Sequence, residues 1–167
     1  EAREADEYEK GYIPDSDNIG LNGQYAVWVG SLIDAKDPLV LVTEEGQEEE
    51  AILRLARVGY ENVKGYLKGG IRAWKDSGRK VDHIEVMHPI SFEKQYSPEE
   101  HVIDVRNEGE WAGGVIDGAQ LIPLTRLTRE FGILDKSQKY YVHCAGGYRS
   151  MMACSILRKN GFRNVVN

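Results

Sequence analysis

Cysteine is scarce in this chain, and its scarcity excludes several chemistries. Only Cys144 and Cys154 occur in 167 residues, ten positions apart. Two cysteines make no disulfide framework, and this spacing fits neither a zinc knuckle nor a CxxC redox pair. The default setting for such a chain is a reducing one, the cytoplasm. Positive charge is also short: 21 Lys and Arg stand against 27 Asp and Glu, a formal net charge of -6. That balance argues against nucleic acid or an anionic membrane as the main partner, since either favours a basic face. Long apolar runs are missing, which excludes a membrane-spanning helix, and no signal-peptide pattern opens the chain. An initiator methionine is absent too. The chain opens at Glu1, inside a motif that recurs later, so a longer parent protein is expected.

What the sequence does hold is a second copy of itself. "DEYEKGYIPDSDNI" (residues 6–19) and "GEWAGGVIDGAQLI" (residues 109–122) place Glu7, Tyr8, Gly11 and Ile13 against Glu110, Trp111, Gly114 and Ile116. "VLVTEEGQEEEAILRLARVGYENV" from Val40 likewise matches "YVHCAGGYRSMMACSILRKNGFRNV" from Tyr141. Each of these reads as a short apolar strand, a loop, an amphipathic helix and a Gly-aromatic stop before another strand. "EAR" at residues 1–3 answers "DVR" at residues 104–106, so copy one lacks its first strand here. Copy two stops at Asn167 without the counterpart of "GYLKGGIRAW", residues 65–74.

The expected organisation is therefore a first domain at 1–82, a linker at 83–98 and a second domain at 99–167. Pro89 and Pro98 act as breakers in the linker, which has room for the opening strand of copy two. Strands such as 39–42 and 101–105 alternate with helices such as 48–58 and 150–160. Nearly continuous apolar strands alternating with helices indicate an α/β fold, each copy a parallel sheet flanked by helices on both faces. Ligands of such sheets bind at the carboxyl ends of the strands, which is where Cys144 falls.

Between the strand ending at Cys144 and the helix expected from Ser150, "CAGGYR" must curl tightly. Gly146 and Gly147 permit backbone angles closed to other residues, so successive N–H groups turn inward as an anion-binding nest. The helix amino terminus adds free donors and its positive dipole end. A thiolate in that cradle is stabilised, lowering the Cys144 pKa below its free value. Arg149 is expected to bring a positive charge to the rim, and Ser150 to cap the helix and donate to sulfur. His143 should face the other side of the sheet from Cys144, which argues against a Cys-His pair. Cys154, among Met151, Met152, Ile156 and Leu157, reads as a small core residue rather than a resolving thiol.

"CAGGYRS", with "DVR", "EWAGGVIDGAQLIP" and "GGIRAW", resembles the rhodanese (thiosulfate sulfurtransferase) family, as a tandem pair over nearly the whole chain. The resemblance implies two rhodanese-like domains and a sulfane sulfur carried on Cys144, moved from thiosulfate or a persulfide to cyanide, sulfite or a thiol. It implies Ala145, Gly146, Gly147, Tyr148, Arg149 and Ser150 as the substrate loop, Asp104 and Arg106 as structural neighbours, and no metal or other cofactor. A phosphatase or arsenate reductase of related fold is the rival. Those enzymes set more residues between cysteine and arginine to surround a tetrahedral oxyanion, whereas only Ala145, Gly146, Gly147 and Tyr148 intervene here. The tighter ring suits one sulfur atom.

Copy one departs at the decisive position. Thr43 stands where Cys144 does, and "TEEGQE" surrounds it with Glu44, Glu45 and Glu48, charges that would repel a thiolate or an anion. Copy one is therefore expected to be catalytically inactive, kept for packing or docking. An inactive copy followed by an active one resembles the carboxyl-terminal part of fusions with a metallo-β-lactamase-fold persulfide dioxygenase. That resemblance implies an upstream partner domain holding iron or zinc; no HxHxDH motif lies within these residues. The alternative function is a non-catalytic docking or regulatory module of a larger sulfur-metabolism enzyme.

Overall fold

The repeat in the sequence is also a repeat of backbone hydrogen bonds. In the first copy the N–H of Ala2 donates to the carbonyl of Val42, Ile19 to Glu1 and Leu21 to Ala2, at 2.7, 2.9 and 3.0 Å. In the second, Val105 donates to His143, Ile122 to Asp104 and Leu124 to Val105, at 3.1, 3.1 and 3.2 Å. The computed structural model describes residues 1–167, and the chain divides into two compact units, Glu1–His83 and Ile84–Asn167.

Unit 1 runs α1 (Ala5–Tyr8), α2 (Tyr25–Leu32), β1 (Leu39–Leu41), α3 (Glu48–Ala56), β2 (Val63–Tyr66) and α4 (Gly70–Asp76). Strands β1 and β2 pair in parallel. Helix α3 carries Glu48, Glu49 and Glu50 in its first turn, where acidic charge complements the helix dipole, and buries Ala51 and Leu55. Tyr60 behind it is buried, and its hydroxyl donates to the carbonyls of Val29 (3.0 Å) and Ile33 (2.6 Å), tying the end of α2 to the approach of β2.

Unit 2 runs α5 (Pro89–Gln95), β3 (His101–Asp104), β4 (Gln120–Leu121), α6 (Leu124–Glu130), β5 (Tyr140–His143), α7 (Tyr148–Lys159) and β6 (Val165–Val166). Its four strands lie in the order β4-β3-β5-β6, all parallel. Alternate residues point to opposite faces, so Val102, Tyr141 and Val166 share one side of the sheet. That side is covered by Met87, Phe92, Tyr96, Ile116 and Ala119. Helix α7 packs against β5 and β6, with every residue from Ser150 to Leu157 buried. Each large apolar side chain among them contributes about 1.5–3 kcal/mol of burial. The α/β architecture with parallel sheets is thus the one the alternation of strands and helices indicates.

The segment expected as a linker is structured. Pro89 sits in the first turn of α5, where its missing N–H costs nothing, and the His88 ring nitrogen accepts from the Ile90 N–H at 3.3 Å. Phe92 and Tyr96 then cover the sheet, so residues 84–98 belong to unit 2. The opening strand allowed for there is a single bridge: Asn167 donates to Glu85 and Met87 to Asn167, both at 2.9 Å.

Candidate functional site

Strands β3 and β5 end side by side, Asp104 opposite His143, and Cys144 is the first residue beyond the sheet. From there the chain reaches α7 in fewer residues than expected, because the helix begins at Tyr148 rather than Ser150. Gly147 makes the turn and occupies the N-cap position with φ +85°, ψ -24°, left-handed backbone that a side chain disfavours. Of Gly146 and Gly147, only Gly147 uses positive φ. Ser150 does not cap the helix; one turn in, its hydroxyl lies within donating reach of both the Cys144 sulfur, at 3.4 Å, and the Gly147 carbonyl, at 3.1 Å, and shares one proton between them.

Hydrogen-bond donors converge on the sulfur. The Gly147 N–H donates to Cys144 Sγ at 3.2 Å, and the backbone N–H groups of Gly146 and Ser150 also favour the charged sulfur. Burial pushes the thiol pKa up, but the Ser150 hydroxyl and these three N–H donors outweigh it, so Cys144 lies below the ordinary thiol value. Ala145 and Gly146 form the exposed tip of the loop, and Tyr148 is half-buried at the helix start. Cys154 lies fully buried on α7, where burial drives its pKa far above the ordinary thiol range. An apolar cavity of about 260 Å³ runs along the Val102–Tyr141 face and opens on His143 and Cys144.

Arg149 does not stand free at the rim. Its two terminal nitrogens donate to both carboxylate oxygens of Glu110, at 2.5 and 2.9 Å, and Glu110 first, with the Cys144 sulfur after it, favours the charged guanidinium. Glu110 lies in a 3₁₀ turn, Glu108–Gly113, whose N-cap Asn107 donates its backbone N–H to the Glu110 carboxylate at 3.0 Å. The Arg149 fork, followed by the Asn107 N–H, holds the Glu110 carboxyl down at about 2. The sequence marked Glu110 only as a repeated position. Nothing in it signals a partner 39 residues away.

Asp104 and Arg106 brace this arrangement from below. Arg106 donates through Nη2 to Asp104 Oδ2 at 2.6 Å and to the Gly114 carbonyl at 2.8 Å, fixing the exit of the turn that carries Glu110. Asp104 is fully buried, which raises its pKa, but the side-chain and backbone donors of Arg106 outweigh burial and keep it ionised. His143 Nε2 sits 3.7 Å from Asp104 Oδ2 without a hydrogen-bond partner. Burial outweighs that carboxylate and lowers the His143 pKa, leaving a neutral ring at pH 7.

Unit 1 repeats the bracing without the cysteine and the arginine. Arg3 donates to Glu1 through Nε at 2.8 Å and to the Gly11 carbonyl at 2.9 Å, as Arg106 does to Asp104 and Gly114. Gly46 takes φ +85° before α3, as Gly147 does before α7. At the site itself Thr43 is buried in place of Cys144, and Glu48 begins the helix in the place of Arg149. No group of three or more His, Cys, Asp or Glu is placed to hold a metal ion, and no helix is long and apolar enough to cross a membrane.

The family model of the rhodanese-like domain matches residues 1–77 and again residues 91–167. The chain belongs to the rhodanese-like family. A tRNA sulfurtransferase of Vibrio vulnificus is 33% identical over 97 residues, 54% of this chain and 18% of that one. The Bacillus subtilis protein YqhL is 38% identical over 66 residues, 40% of this chain and 52% of its own. The chain thus spans about half the length, or less, of these curated relatives. Among solved structures, a rhodanese-like domain protein of Staphylococcus aureus has 30% identity and a TM-score of 0.47, covering 50% of this chain and 83% of that one. In this rhodanese-like pair, then, sulfur transfer is the chemistry found among relatives, and the cysteine cradle belongs to the second unit.

Proposed function

We propose that the second unit moves a sulfane sulfur from thiosulfate or a persulfide to a thiophilic acceptor through a persulfide on Cys144. The observation that carries the reading is the cradle: N–H donors and the Ser150 hydroxyl converge on one sulfur whose pKa they lower. The Cys144 thiolate attacks the outer sulfur of the donor. The donor S–S bond breaks, its electron pair leaves with sulfite or a thiolate, and the new S–S bond is Cys144's own. The outer sulfur then accepts the electron pair of cyanide, sulfite or a thiolate, and the Cys144 thiolate is released. The same N–H donors that hold the thiolate hold the terminal persulfide anion, so the charge stays in preorganised surroundings throughout. The cycle draws only on the thiolate and its two substrates.

Unit 1 serves packing or docking in this reading, and a reducing compartment such as the cytoplasm suits the two free thiols. The order of an inactive and an active copy supports a place beside a metallo-β-lactamase-fold persulfide dioxygenase domain, with which Cys144 would exchange sulfur. The test is intact mass after thiosulfate or persulfide treatment. One extra sulfur is expected, located on Cys144, removed by cyanide and lost in Cys144→Ser. Sulfur on Cys154, or turnover retained by Cys144→Ser, would overturn the assignment.

A further inference from the structure

The fork between Glu110 and Arg149 puts a full negative charge beside the cation that follows the Cys144 loop. Arg149 is fixed from one side by both Glu110 oxygens, and Glu110 is fixed in turn by the Asn107 N–H and by the turn that Arg106 ties down. The carboxylate stays ionised at every physiological pH. Two consequences follow. The guanidinium is held in one orientation by that carboxylate, and its charge is largely balanced before any substrate arrives. What remains for the donor is a set of neutral N–H dipoles rather than a cationic pocket. Copy one supports a link to the thiol: Glu7, in the place of Glu110, is turned to Lys10 at 2.7 Å, and Glu48 replaces Arg149 where Thr43 replaces the cysteine.

We propose that Glu110 is a positioning residue that sets the donor charge the site accepts, favouring singly charged organic persulfides over dianionic thiosulfate. The inference rests on the sulfur-transfer reading above. In either reaction one S–S bond breaks and one forms: an organic persulfide releases a thiolate, thiosulfate releases sulfite, and the Cys144 persulfide is common to both. A dianion approaching a thiolate needs an unbalanced cation. A persulfide, with less charge to offset, does not.

The experiment compares thiosulfate with the persulfide of 2-mercaptoethanol as donors to the whole chain, with Glu110→Gln, Glu110→Ala and Glu110→Asp as variants. Removing the carboxylate should raise the thiosulfate-to-persulfide ratio of kcat/KM by about tenfold, chiefly through a lower KM for thiosulfate. Glu110→Asp keeps the charge and should stay within about twofold of the parent ratio. Independently of any turnover, the pH midpoint for iodoacetamide alkylation of Cys144 should fall in Glu110→Gln, because the cation beside the thiolate is no longer balanced. Glu110→Ala carries the same two expectations and serves if Glu110→Gln does not fold. An unchanged donor ratio, even with a lower overall rate, would overturn the proposal, as would an unmoved alkylation midpoint. A parent chain that gains no sulfur from either donor would instead sink the sulfur-transfer reading, and the alkylation midpoint would then decide whether Glu110 tunes Cys144.

Discussion

Cys144 and Cys154 are the same residue type, joined by one helix, and their surroundings drive them in opposite directions. At Cys144 burial works against ionisation and loses to four hydrogen-bond donors; at Cys154 burial acts nearly alone. The consequence is kinetic, since only thiolates react readily with alkylating agents. At pH values below the ordinary thiol pKa of about 8.5, iodoacetamide should label Cys144 while Cys154 stays unmodified in the folded chain. As pH falls further, the Cys144 rate should drop only on passing its own lowered pKa. Peptide mapping after timed labelling reads both sites in one sample. Equal, slow labelling of the two would mean that the donors around Cys144 do not act on its charge. This contrast is legible in the sequence because both effects are local: a glycine loop on one side, an apolar helix on the other. Glu110 was not accessible in the same way, because a fork spanning 39 residues leaves no trace in either neighbourhood.

Among the elements, the strand, loop and helix around the cysteine were legible, and their boundaries were less so. Helix α7 starts two residues early because Gly147 in left-handed backbone turns the chain at once, so the cap is backbone geometry and not the Ser150 side chain. The two loop glycines therefore separate by experiment. Gly147→Ala should cost about 1–2 kcal/mol in urea denaturation, the penalty of a left-handed side chain, since open space surrounds the position. Gly146→Ala, also in open space but at negative φ, should stay within about 0.5 kcal/mol. Equal losses would show that φ is not what selects glycine there. In the sequence Pro89 and Pro98 look like breakers and the period of Phe92 and Tyr96 is too short to announce a helix, whereas in the structure Pro89 opens α5 and Phe92 and Tyr96 lie against the sheet. The bracing pair, by contrast, was visible as "DVR". Arg106→Ala leaves the buried Asp104 carboxylate uncompensated and should cost about 3 kcal/mol at pH 7. Because Arg106 holds the folded-state pKa of Asp104 below its unfolded value, that contribution is present above pH of about 4 and fades as pH falls through the lower folded value. The deficit of the variant should shrink accordingly in acid.

On the scale of the whole molecule, the two units share a frame and differ at the loop that holds Cys144 in unit 2. The hydrogen bonds of residue 2 and residue 105, the Arg3 and Arg106 braces and the left-handed glycines at 46 and 147 are common to both. The cysteine and the arginine are not. If loop shape alone made the reactive thiol, Thr43→Cys would create a second one. The charges argue otherwise: Glu44, Glu45, Glu48 and Glu49 follow Thr43 closely in the chain, with Glu48 where Arg149 stands in unit 2, and like charges raise a thiol pKa. We expect Thr43→Cys to bind no second sulfur from thiosulfate or persulfide, so its intact mass gains one sulfur atom, as the parent does. In the Cys144→Ser/Thr43→Cys chain the gain should vanish, and the new thiol should alkylate more slowly than Cys144 at pH 7. Adding Glu48→Arg places a cation at the start of α3 and should restore part of the alkylation rate, because it reverses the largest charge difference between the two loops. Two sulfurs on Thr43→Cys would mean that backbone donors suffice, and no response to Glu48→Arg would mean that the acidic loop of unit 1 is not what keeps the new thiol slow.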